Sequence, residues 1–231
     1  MSDQAGYGYV SENVSRILED IRQTCYSCGR DPAEVTLMAV TKTVPPEAVN
    51  EAIKCGAVLL GENRVQEYLE KKDSYLPEAQ VDFIGGLQTN KAKYIVGSVR
   101  VIHSVDSVKL AEEINRLAAR KGIVQDVLIE VNIGGESSKN GVMPDKLNEL
   151  ADTVTSFDNI RLRGLMTIPP PGNSEKYFAE TGELFGMIKE KYKGADMLSM
   201  GMSSDYRLAV KYGSTVVRVG TGIFGARNYN K

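Results

Sequence analysis

The apolar positions of the chain fall into two alternating kinds of segment. Short apolar runs of strand length stand at 35–42, 57–61, 81–85, 101–105, 127–132, 161–168, 197–201 and 215–220. Between them, apolar residues recur three and four positions apart at 46–55, 64–71, 90–96, 107–121, 144–155, 174–191 and 204–212, and a longer stretch of this kind, about 12–28, precedes the first run. A short continuous apolar run suits a strand covered on both faces, whereas the wider spacing suits a helix with one buried face. Pro144 just inside a helix start, and Gly56 and Gly213 just past helix ends, punctuate the pattern. Strict alternation of strands and helices predicts parallel pairing. Eight strands within about 190 residues fit a closed (β/α)8 TIM barrel better than an open doubly wound sheet, which leaves two edges to protect. Loose segments are expected at 1–10, at 169–173 and after Phe224.

Composition narrows the class. At 231 residues the chain is long enough for one large core, so the reading is a single α/β barrel domain over 1–231. A hydrophobic content of 42%, a charged content of 25% and a net charge of −2 are ordinary globular values and disfavour duplex nucleic acid as a partner. No run approaches the roughly 18 apolar residues of a membrane span, and Met1 to Gly6 carry neither a basic nor an apolar region, which reads as a cytoplasmic chain. Three cysteines, Cys25, Cys28 and Cys55, argue for reduced thiols. Cys25 and Cys28 form a CxxC at the last turn of the first helix, and with only Cys55 and His103 to complete a site, no metal centre is expected.

Lys42 changes the picture most. It closes the first apolar run as a lone cation at a strand's C-terminal end, where parallel sheets and barrels place ligands. Loss of hydration among apolar walls favours the neutral amine, which attacks carbonyls, so Schiff-base chemistry stands against a lysine snorkelling to solvent. The other strand ends are polar as well: Gly61-Glu62-Asn63, Met166-Thr167, Met202-Ser203-Ser204 and Arg218-Val219-Gly220-Thr221-Gly222. Glycines and hydroxyls after strands seven and eight make a plausible phosphate cradle, although Ser203 and Ser204 also suit helix capping. Gly220 to Gly225 spell GxGxxG, but only six residues follow, too few for the helix and acidic residue of a dinucleotide site. His103, the one histidine, reads as a packed or pocket-wall residue.

Taken together, Met38 to Lys42, Gly61 to Glu67, Phe83 to Lys91, Ile129 to Ile133, Arg163 to Pro169, Leu198 to Ser203 and Ile223 to Arg227 carry a resemblance over nearly the whole chain. The sequence resembles the pyridoxal phosphate homeostasis protein family, the proline synthetase co-transcribed group, which is related to the N-terminal barrel of alanine racemase. The resemblance implies a barrel of the alanine racemase N-terminal type, fold type III among pyridoxal 5′-phosphate (PLP) proteins, with PLP held as a Schiff base on Lys42. It further implies Ser203 and the amides of Gly220 and Thr221 at the phosphate, Arg218 at the pyridine nitrogen, and Asn63 and Met166 along the ring. Lys139 falls near the position where racemases present a basic group. Family members often have proline where this chain has Gly86. Racemases of this type add a tyrosine from a second domain as an opposed base, and Tyr206 and Tyr212 are read as packing residues instead.

Two functions follow from the resemblance. One is a monomeric cytoplasmic protein of PLP (vitamin B6) homeostasis, without strong turnover, whose partners are PLP and PLP-dependent apoenzymes. The other is a PLP-dependent amino-acid racemase or lyase.

Overall fold

The computed structural model describes residues 6–226, so the loose ends expected at 1–5 and beyond 226 lie outside the described residues. Eight strands close into a parallel barrel in sequence order: β1 (Thr36–Val40), β2 (Leu59–Glu62), β3 (Gln80–Phe83), β4 (Val101–Val105), β5 (Gln125–Val131), β6 (Ile160–Thr167), β7 (Met197–Ser199) and β8 (Val216–Val219). The seam joins Thr36 to Val216 and Met38 to Arg218. Helices α1 (Gly8–Ser27), α2 (Pro46–Lys54), α3 (Val65–Lys71), α4 (Ala92–Ile95), α5 (Val108–Lys121), α6 (Leu147–Thr155), α7 (Ser174–Lys191), α8 (Tyr206–Lys211) and α9 (Thr221–Phe224) complete the order.

Alternation along the strands sorts side chains between two layers. Met38, Val40, Leu59, Ile84, Val101, Leu128, Met166, Met197 and Val216 form one buried cluster, which is the barrel's inner filling. Their neighbours, such as Leu37, Ala39, Ile102, Val127, Ile129, Val217 and Val219, pack outward against helices. β6 keeps this order through a register shift against β5, where Gly164 adopts φ +141°; a side chain there would collide with the Met197 carbonyl.

The helix α1 has a particular place. Among the described residues, only the four-residue α9 follows β8. The outer face of the β1–β8 seam is instead covered by Val10, Val14, Ile17 and Ile21 of α1, which pack with Leu37, Ala39, Val217 and Val219. The helix begins at Gly8 rather than near residue 12, and Val10, expected in a loose end, is fully buried. Burying that extra turn on the seam outweighs the missing side-chain cap at Tyr7. The expected helix at 90–96 becomes a 3₁₀ turn, Thr89–Lys91, followed by α4. No helix among the described residues is long and apolar enough to cross a membrane.

Candidate functional site

Period two carries the inner layer upward to the barrel mouth. Lys42 stands two residues beyond Val40, Glu130 two beyond Leu128, Arg218 two beyond Val216 and Gly220 two beyond that, so all continue the inward faces of their strands. A cavity of about 340 Å³ opens there, lined by Val40, Lys42, Asn63, Ile84, Ile168, Met202, Ser203, Ser204, Arg218, Gly220 and Thr221. Six of the expected residues therefore meet: Lys42, Asn63, Ser203, Arg218, Gly220 and Thr221.

Two others sit elsewhere. Met166 is 1% exposed within the inner filling, packed with Val40 and Ile84 beneath the cavity rather than along its wall. Lys139 lines a neighbouring cavity of about 290 Å³, which shares Asn63, Ile84 and Ile168 with the first, and it pairs with Glu136 at 2.6 Å.

The Ser203 end is built for an anion. Ser203 does not cap α8, whose N-cap is Asp205. Its hydroxyl oxygen instead accepts hydrogen bonds from the backbone N–H groups of Gly220 (3.3 Å) and Gly222 (3.2 Å). Those converging donors, with the hydroxyl proton beside them, are the groups that bind phosphate oxygens. A Cβ on Gly222 would crowd Val219 at 2.8 Å and fill the approach to Ser203. Across the cavity, Asn63 Oδ1 is buried without a hydrogen-bond partner, an acceptor that a ligand donor would satisfy. These features fit a phosphorylated ring such as PLP.

Arg218 is 3% exposed, and burial lowers its pKa to about 10, which leaves it charged at neutral pH. Beside it on β5, Glu130 is pushed up to about 7 by burial and by the Asp106 charge, with Arg218 opposing.

The strand end that carries Lys42 is clamped on both sides. Thr43 adopts φ +62°, the only positive φ on a non-glycine among the described residues, in a region that β-branched side chains avoid. Its N–H donates to Glu67 Oε1 at 2.5 Å, while Lys71 Nζ donates to the Thr41 carbonyl at 3.0 Å. Below, the Thr41 hydroxyl donates to Glu62 Oε1 at 2.7 Å, and Tyr75 donates to the same oxygen. Burial raises the Glu62 carboxyl against these two opposing hydrogen bonds.

Sequence reasoning missed this clamp, together with the wall residues Ile84, Ile168 and Met202. It also missed that buried His103 stands between Asp82 and Ser199. The available signal was a polar residue two positions from an inward apolar one: Asp82 before Ile84, His103 after Val101 and Ser199 after Met197.

Comparison with known proteins agrees with this architecture. The family model for alanine racemase, N-terminal domain, matches residues 14–228. A pyridoxal phosphate homeostasis protein of Aquifex aeolicus is 46% identical over 224 residues, covering 94% of this chain and 98% of the relative. One from Escherichia coli K12 is 37% identical over 230 residues, covering 96% and 98%. The structure of PipY from Synechococcus elongatus with PLP bound superposes with a TM-score of 0.80 at 33% identity, covering 94% of this chain and all of that one (100%). The chain thus belongs to the alanine racemase N-terminal domain family and, within it, to the pyridoxal phosphate homeostasis proteins.

Proposed function

We propose that this chain binds PLP at the barrel mouth, holds it covalently on Lys42 and serves intracellular PLP homeostasis rather than turnover. The observation that carries the reading is the single cavity shared by Lys42, the Ser203–Gly220–Gly222 anion cradle and the buried Arg218. When bound, PLP supplies an aldehyde that condenses with an amine: C=N replaces C=O, and the oxygen leaves as water. Lys42 provides that amine. Ser203 and the amides after β8 hold the phosphate, and Asn63 offers its unpaired carbonyl oxygen to the ligand. Arg218 can only donate hydrogen bonds, so it meets the ring nitrogen as a donor and disfavours its protonation.

The cavity's lining supports carriage over racemisation. Among the described residues that line it, Lys42 and Arg218 are the titratable ones, and neither a tyrosine, a histidine nor a carboxylate stands opposite Lys42 as a second base. A carrier of this kind limits free aldehyde and delivers the cofactor to apoenzymes, working in the cytoplasm as a monomer.

The test is the visible spectrum of the wild type and Lys42→Ala after PLP addition and removal of free ligand, followed by borohydride reduction and peptide mass mapping. The expected result is a yellow band in the wild type, lost in the variant, with the pyridoxyl mass on Lys42. An adduct on Lys139 would overturn the site, and no band in either protein would overturn the function. An amino-acid panel is expected to give no racemisation above the Lys42→Ala background.

A further inference from the structure

A hydrogen-bonded chain runs down the barrel interior beneath the cavity. Arg218 Nη1 donates to Ser199 Oγ at 2.8 Å, and Nη2 donates to the Thr167 carbonyl at 2.8 Å. Ser199 Oγ lies 3.1 Å from His103 Nδ1, and His103 Nε2 lies 2.9 Å from Asp82 Oδ2. Arg100 closes the far end, its Nε and Nη2 donating to the two Asp82 oxygens at 3.0 and 2.8 Å. Asp82, His103 and Ser199 are fully buried, and they come from β3, β4 and β7.

Chemistry fixes the direction of every bond. A guanidinium only donates, so Ser199 accepts from Arg218 and keeps its own proton for a bare His103 Nδ1. The Asp82 carboxylate, which only accepts, selects that tautomer. The imidazole proton lies on Nε2 and is donated to the Asp82 carboxylate; the opposite tautomer would set a lone pair against an acceptor oxygen. Burial pushes the His103 pKa down, against the Asp82 hydrogen bond and charge, so the ring is neutral. Burial alone would raise the Asp82 carboxyl, but His103 and Arg100 hold it below the usual range. The charged groups around the ring are thus Asp82, Arg100 and Arg218.

We propose that Asp82, His103 and Ser199 are positioning residues, a one-way relay that fixes the orientation of the Arg218 guanidinium and thereby sets its contact with the PLP ring. The proposal rests on reading the cavity as a PLP site. With Nη1 and Nη2 both committed, the guanidinium plane cannot turn toward other acceptors, and it presents its remaining N–H groups in one direction. Without Ser199 or His103 it keeps its charge but loses that fixed direction.

His103 is the only histidine in the chain, so its imidazole nitrogens give unambiguous ¹⁵N signals. In the full-length protein without PLP, the expected spectrum at neutral pH is that of a neutral ring protonated on Nε2. A charged ring at that pH, or one that carries its proton on Nδ1, would overturn the relay. PLP is then titrated into wild type, Ser199→Ala, His103→Leu and His103→Gln, reading affinity and band position. Gln keeps an acceptor and a donor on one side chain. Ser199→Ala and His103→Leu are expected to bind about tenfold more weakly with a displaced band, and His103→Gln to recover to within about threefold of wild type. Affinities and bands equal to wild type in all three variants would overturn the positioning role. A wild type that takes up no PLP would instead defeat the reading of the cavity, while the tautomer in the PLP-free protein still reports the relay's direction.

Discussion

The two ends of the barrel treat their charges differently. At the strand starts, Asp126 receives Arg161 at 2.6 Å and Arg163 at 2.8 Å, and Arg163 continues to Asp196 at 2.7 Å. Asp82 is held there by both arms of Arg100. Each of these carboxylates meets a guanidinium in a planar fork, the strongest pairing side chains make. At the strand ends, half-buried Lys42 and buried Arg218 line one cavity and buried Glu130 lines its neighbour. Burial there works against the ionised form of Glu130, whose pKa is pushed up to about 7. The floor pairs its carboxylates with arginines, whereas the mouth holds a carboxyl whose charge burial opposes.

Three substitutions test this division. The largest effect is expected at the floor. Asp126→Ala leaves Arg161 and Arg163 without their shared partner and should cost about 4 kcal/mol in urea unfolding, while PLP uptake by the folded protein stays at the wild-type level. Loss of uptake in parallel with stability would erase the distinction between the ends.

Glu130→Gln should do the reverse. The folded pKa of Glu130, about 7, lies above its ordinary 4.5, so the native state holds the proton more tightly than the unfolded chain. Its ionisation costs stability progressively as pH rises from 4.5 through about 7 and fully above that. The variant is expected to exceed wild type by about 3 kcal/mol at pH 8, with the difference gone below pH 4.5. A pH-independent difference in thermal unfolding would show that Glu130 is not a charge held against its own preference.

The smallest effect is the most specific. Thr43→Gly removes the penalty of the left-handed conformation beside Lys42, and stability should rise by about 0.5 kcal/mol. PLP affinity should fall about threefold as the strand end loosens, read by equilibrium dialysis. A gain in both would mean that the strain at Thr43 serves nothing at the mouth.

The barrel was legible because the pattern that encodes it is local. Apolar runs and three-and-four spacings survive without knowledge of partners, and eight alternations leave few architectures. Lys42, Ser203, Arg218 and Gly220 were legible for a related reason, since each ends a strand and strand ends converge in this fold. The relay was not. Asp82, His103 and Ser199 lie 21 and 96 residues apart along the chain, and only barrel closure brings them into line. Met166 was drawn to the cavity by its motif, whereas the depth of an inward residue depends on strand tilt and stagger, which no local pattern records. For Ser203 the sequence left two compatible roles, helix cap and phosphate ligand; Asp205 occupies the N-cap position of α8, and the Ser203 hydroxyl meets the glycine amides.

The helix α1 on the β1–β8 seam has a consequence for synthesis. Asn13 donates to the Ile223 carbonyl across 210 positions, and the apolar face of α1 has no full partner until β8 exists. A contact of that sequence separation forms late, because the intervening chain must close on itself first. The cavity lined by Lys42, Arg218 and Gly220 opens beside this seam, so an unfinished chain on the ribosome cannot offer it. Under the proposed attachment to Lys42, capture of the aldehyde would thereby be restricted to completed molecules, and each capture would in turn fasten the first strand to the last.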